Sequence, residues 1–195
     1  MEQILLSESN LKVSKFIFGT SRIHNILSRK IRQEILNEAI ECGFTHFDTS
    51  PLYGYGIAES ELGILAKKHP NITITTKYGR YASGRNQKPD WEIYSRKVGG
   101  KLIPSLSRTQ INFDTKIAYK SLVSSLRRIN RDYIELFMLH EPPQGLKNFP
   151  DTFDFLNKVK SQGLIREFGV SGSWTSIKQF YLEAPEILNV VQVQD

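Results

Sequence analysis

Short apolar runs that finish on a polar residue alternate with stretches of helical spacing along most of the chain. Ile4 to Leu6 and Leu11 to Val13 flank the turn-forming Ser7-Glu8-Ser9-Asn10 and read as an N-terminal β-hairpin that plugs one end of the fold. Lys15 to Phe18 follows as a strand closing at Gly19-Thr20. From Ser28, an N-cap residue, Ile31, Ile35, Leu36, Ala39 and Ile40 recur at helical spacing until Gly43. Phe44 to Asp48 is then a strand, Ala58 to Lys68 a helix, and Ile72 to Lys77 a strand rich in β-branched residues. Helix Thr115 to Ile129 precedes strand Tyr133 to Leu139, and helix Asp151 to Gln162 precedes strand Glu167 to Ser171. A helix over about Ser173 to Leu182 leads to the last strand, Val190-Val191-Gln192-Val193. Six strands, five of them followed by helices, predict a parallel α/β fold. Arg80 to Asp114 has no sustained period and reads as a long loop insertion in a single domain spanning residues 1–195.

Composition narrows the function without naming it. At 195 residues the chain suits one domain. The net charge of +6 is scattered rather than gathered into runs, and no nucleic-acid-binding spacing accompanies it, so nucleic acid is not an expected partner. Cys42 has no second cysteine with which to form a disulfide or a thiolate metal site. The N-terminal Met1-Glu2-Gln3-Ile4 lacks the pattern of a signal peptide, and no apolar segment approaches membrane-spanning length. A cytoplasmic protein with no membrane partner is expected.

The candidate chemistry lies where the strands end. In parallel α/β folds ligands bind at the carboxyl ends of the strands. Here those ends are Gly19-Thr20, Asp48, Lys77, His140, Ser171 and, close to the last, Gln192, which implies one shared polar pocket. Lys77 closes an apolar strand and needs an anionic partner, for which Asp48 on the neighbouring strand is the candidate. Tyr53, on the loop after Asp48, is placed for its phenol pKa to be lowered by that lysine. Gly54-Tyr55-Gly56 begins like a dinucleotide fingerprint, but Glu59 stands where the third glycine belongs, so Gly56 is read as the start of a helix.

The run Asp48-Thr49-Ser50-Pro51-Leu52-Tyr53-Gly54-Tyr55-Gly56-Ile57-Ala58-Glu59-Ser60-Glu61-Leu62-Gly63 closely resembles the long signature of the aldo-keto reductases. The resemblance continues through Thr75-Thr76-Lys77, through Asp132 to His140, and through Gly163 to Ser171. It implies a (β/α)8 TIM barrel that transfers hydride reversibly between NADP(H), or in some members NAD(H), and an aldehyde, ketone or sugar, without a metal. Carried over by motif, Tyr53 would be the general acid or base, Lys77 would tune it, Asp48 would hold Lys77, and His140 would orient the carbonyl and share in proton delivery. Ser171 and Gln192 would bind the nicotinamide carboxamide, and Gly19-Thr20 would lie near its ribose.

Two departures accompany the resemblance. Gly172 stands after Ser171 where the family commonly has Asn. The six strands fall short of the eight of a complete barrel, which takes about 250 residues. The expectation is therefore a partial barrel, C-terminally truncated, without the later loops that grip the cofactor phosphates. Its open edge would invite self-association or a partner chain. A truncated, non-catalytic relic or interaction protein is the alternative to an active reductase. The long loop, with Asn112-Phe113-Asp114 before the helix that follows, is similar to the sugar dehydrogenase branch.

Overall fold

The structure, a computed structural model, describes residues 1–6, 11–82, 109–147 and 149–194. The predicted hairpin turn at 7–10 and most of the 80–114 insertion lie outside the described residues. β1 (Gln3–Leu6) and β2 (Leu11–Ser14) pair antiparallel, as expected of the opening hairpin. β3 is only Phe18–Gly19, while the preceding Phe16 and Ile17 are exposed outside it. Then come α1 (Arg29–Glu41), β4 (His46–Asp48), α2 (Ile57–Lys68) and β5 (Thr73–Tyr78). β6 (Arg80–Ala82) pairs antiparallel with β7 (Thr109–Ile111) at the two ends of the predicted loop, a small ribbon too short to leave a periodic trace. α3 (Thr115–Ile129), β8 (Ile134–His140), α4 (Phe149–Ser161), β9 (Ile165–Ser173), α5 (Trp174–Glu183) and β10 (Val190–Gln194) complete the order.

The six expected strands form one parallel sheet in the order β10-β9-β8-β5-β4-β3, curled into a partial (β/α)8 barrel. All seven residues of β8 are buried, the near-continuous apolar run of a strand covered on both faces. On the helix side, Phe47, Ile74, Phe137, Phe168 and Val170 meet Leu36, Leu62, Leu122 and Leu156, and Tyr78 stacks on Phe137 with ring centroids 4.8 Å apart. Because successive strand residues point to opposite faces, the partners of this core fall on the inner face. The register pairs Gly19 with Asp48, His140 with Ser171, and Ser171 with Gln192. The hairpin sits at the opposite, amino end, where Ser14 Oγ accepts from the N–H groups of Thr45 and His46 at 3.0 and 3.3 Å.

The helices follow the sequence closely, with one exchange of faces. In α3 the buried Ala118, Leu122, Ser125, Leu126 and Ile129 keep helical spacing, and Asp114 caps its start by accepting from Lys116 and Ile117. In α1, Ile31 and Ile35 are exposed, and the fully buried residue of that turn is Arg32. Arg32 can face inward because Glu61 of α2 takes its Nε at 2.8 Å and the Ile26 carbonyl takes Nη1 at 2.7 Å. Glu59 makes a similar buried bridge, accepting from Arg128 Nε at 2.6 Å and from Thr76 Oγ1 at 2.6 Å, which ties α2 to α3 and to β5.

Removing one member of such a pair leaves the other buried and uncompensated. Glu61→Ala is expected to lower stability by about 3–5 kcal/mol, read as a lower urea midpoint with an unchanged slope.

Candidate active site

Burial of a lysine organises the carboxyl end of the sheet. Lys77, 1% exposed, donates to both carboxylate oxygens of Asp48, with 2.6 Å to Oδ2, and to the Thr49 carbonyl at 3.2 Å. Burial pushes the Lys77 ammonium down and the Asp48 carboxyl up, and each charge opposes the other's shift. Gln192 adds a hydrogen bond to Asp48 from the edge strand. Thr20 braces Asp48 from the other side: its N–H and hydroxyl both donate to the Asp48 carbonyl at 2.9 Å. The Thr20 hydroxyl is thus engaged by the protein, while Gly19 beside it borders open space.

Tyr53 returns to the pocket because the chain turns sharply between β4 and α2. Gly54, Tyr55 and Gly56 have φ of 63°, 57° and 89°, and Gly56 is the N-cap of α2 as expected. A Cβ on Gly54 would collide with His24. The half-buried Tyr53 ring lies edge-on to His140, with centroids 5.8 Å apart, and Lys77 Nζ is 5.4 Å from the ring centroid. Its phenol is pushed well above the ordinary value, first by burial and then by the charges of Asp48 and Glu141. This reverses the lowering expected from Lys77. The lysine's charge is engaged by Asp48, so desolvation decides the sign.

His140 is held neutral. Burial first, then the cations Lys77 and Arg80, push its pKa from 6.5 to about 3. Its Nδ1 lies 3.1 Å from Ser50 Oγ, which already accepts the Leu52 N–H at 3.2 Å. When the Ser50 hydroxyl donates to Nδ1, the proton of the neutral ring sits on Nε2. Ser50 is a site residue that strand-end reasoning missed. It stands two residues after Asp48 within the signature, and the question of what orients His140 would have found it.

Among the described residues, Ser171 Oγ and Gln192 Oε1 of the last two strands are buried without a hydrogen-bond partner. They stand on adjacent strands in register. A hydroxyl beside an amide oxygen is a donor and acceptor set that suits a carboxamide. Arg80, beyond the end of β5, and Glu141, next after His140, are joined at 3.0 Å and were not singled out from the sequence. The eight sequence-predicted residues Gly19, Thr20, Asp48, Tyr53, Lys77, His140, Ser171 and Gln192 thus gather at one end of one sheet, in the positions described.

Comparison with known proteins places this arrangement. The sequence model of the Aldo/keto reductase family matches residues 15–194. The chain belongs to that family. It is 27% identical over 206 residues to the NADH-specific methylglyoxal reductase of Escherichia coli, covering 100% of this chain and 59% of the relative. It is 26% identical to the L-galactose dehydrogenase of Arabidopsis thaliana, covering 91% of this chain and 50% of the relative. An aldo-keto reductase from Bacillus halodurans in its holo form superposes with a TM-score of 0.78 at 24% identity, covering 100% of this chain and 58% of that one, which supports the fold. This aldo/keto reductase chain therefore spans between half and six-tenths of the length of these relatives. Among the described residues no helix is long and apolar enough to cross a membrane.

Two buried imidazoles give the family site a pH signature. His46, whose ring nitrogens meet Thr73 Oγ1 at 2.6 Å and Thr75 Oγ1 at 2.7 Å, is lowered from 6.5 to about 4 by burial and by Lys77. A depressed folded pKa contributes stability that is complete above the unfolded value and is lost as pH falls through the folded one. The urea midpoint is therefore expected to fall as pH drops from 6.5 towards 4, with neither His46 nor His140 titrating by NMR above pH 5.

Proposed function

We propose that this site transfers hydride between a nicotinamide cofactor, NADP(H) or NAD(H), and the carbonyl carbon of an aldehyde, ketone or sugar. The observation that carries the reading is a neutral, proton-bearing tyrosine and a neutral histidine converging beside a buried Lys77–Asp48 pair. When bound, the reduced nicotinamide supplies the hydride. The residues of this chain govern the proton and the orientation.

His140 Nε2–H is the donor that aligns the carbonyl oxygen; being neutral, it polarises that oxygen without surrendering a proton. Tyr53 transfers its phenolic proton to the same oxygen as negative charge develops there, giving the alcohol, and recovers a proton from solvent afterwards. Burial holds that proton on the phenol in the resting state, and Lys77 beside the ring offsets the phenolate charge during transfer. Asp48 keeps Lys77 charged and in place. Ser171 Oγ and Gln192 Oε1 hold the nicotinamide carboxamide, and Gly19 leaves room for the adjoining ribose. The exposed single cysteine, Cys42, suits a reducing compartment, and we place the reaction in the cytoplasm.

The outer edge strand β10 carries the exposed Val191 and Val193, and on the other flank Phe16 and Ile17 are exposed beside β3. Self-association or a partner chain at these edges accompanies the proposal.

Replacing the acid tests the reading. Tyr53→Phe is expected to lower kcat for aldehyde reduction by about 10²–10⁴-fold with little change in cofactor affinity. Retention of wild-type kcat would remove Tyr53 from the proton transfer.

A further inference from the structure

We propose that Arg80 and Glu141 are the specificity-determining pair of this site, selecting carbonyl compounds with a neighbouring hydroxyl over plain aldehydes and ketones. The inference rests on the reductase reading above.

Both residues rise directly from the catalytic strands. Glu141 follows His140, and Arg80 is three residues past Lys77, beyond the turn at Gly79. Arg80 Nη2 lies 3.0 Å from Glu141 Oε2, and Arg80 Nε donates to the Glu141 carbonyl at 3.4 Å. The Glu141 backbone adopts φ 45°, a left-handed conformation that a residue with a side chain adopts at a cost. Its N–H donates to the Ser171 carbonyl at 2.6 Å, which fixes the strained residue against the end of β9. The bland alternative is an ion pair that merely ties the β8 loop to β6. A surface tie needs no strained backbone at the residue next to His140. Glu141 is near enough to hold the proton on Tyr53, and Arg80 near enough to disfavour a charge on His140.

Solvent reaches 28% of the Arg80 side chain and 32% of Glu141, so a substrate group beside His140 can reach both. A guanidinium only donates and a carboxylate only accepts. An alcohol does both: its oxygen takes an Arg80 N–H and its hydrogen goes to Glu141. An alkyl group offers neither and displaces water from two charges. An acidic substrate would gain Arg80 and meet repulsion from Glu141. A fully buried hydroxyl-reading site discriminates by about 10⁴–10⁵. Because water competes at this half-open pair, about ten- to a hundredfold is expected.

Glyceraldehyde and propanal, three-carbon aldehydes that differ in their hydroxyls, are the matched probes. The readout is the ratio of their kcat/KM values, in which any shared effect on Tyr53 cancels. The full chain is expected to prefer glyceraldehyde by about ten- to a hundredfold. Glu141→Gln and Arg80→Met should bring the ratio towards one, and Glu141→Asp, which keeps the carboxylate, should retain most of it. A wild-type ratio near or below one, or a ratio within about twofold of wild type in both variants, overturns the proposal while leaving the reductase reading standing. Turnover of neither aldehyde by the wild-type chain with NADPH or NADH overturns both.

Discussion

Lys77 and Asp48 can be buried only together. An ammonium at 1% exposure without an anion would be expelled or neutralised, and a carboxylate alone would fare no better. Their bidentate pairing fixes the carboxyl ends of β4 and β5 relative to each other, and the rest of the pocket is set from that point. Thr20 joins β3 to the Asp48 backbone, Gln192 joins β10 to its side chain, and the Thr49 carbonyl takes the third Lys77 donor. Four strands of the curled sheet are thus referenced to a single ion pair.

The same burial determines which groups hold protons. Desolvation acts together with the charges of Asp48 and Glu141 at Tyr53, so the phenol stays protonated, and together with Lys77 and Arg80 at His140, so the imidazole stays neutral. Two adjacent uncharged rings follow from these balances. Ser50 completes the arrangement by engaging Nδ1, which leaves Nε2 as the His140 ring nitrogen outside this contact. The charges are local, and the overall net charge has no part in this argument.

Much of this was legible in the sequence, for a physical reason. Strands buried on both faces are mostly apolar, so a polar residue closing each one is conspicuous: Asp48, Lys77, His140 and Ser171 announced themselves that way. Helix caps such as Ser28, Asp114 and Gly56 were equally readable, because their chemistry is local. The inward face of α1 was not. Arg32 is buried by a partner 29 positions away, and hydrophobic spacing counts an arginine as exposed. The sign of the Tyr53 shift was missed because spacing places Lys77 beside the ring and says nothing of how much water is excluded. Ser50 and Glu141 escaped since their roles depend on side chains of other strands. The β6–β7 ribbon has three residues a side, too few for a period.

The most direct test of the central claim is a titration of the folded chain with NADPH and with NADH, following the coenzyme's own fluorescence, alongside Ser171→Ala and Gln192→Leu. Saturable binding by the wild-type chain, weakened in both variants, is the result predicted if the two unpartnered atoms at the edge of the sheet hold the nicotinamide. Saturable binding unaffected by either variant, or no saturable binding by a folded sample, would contradict the account.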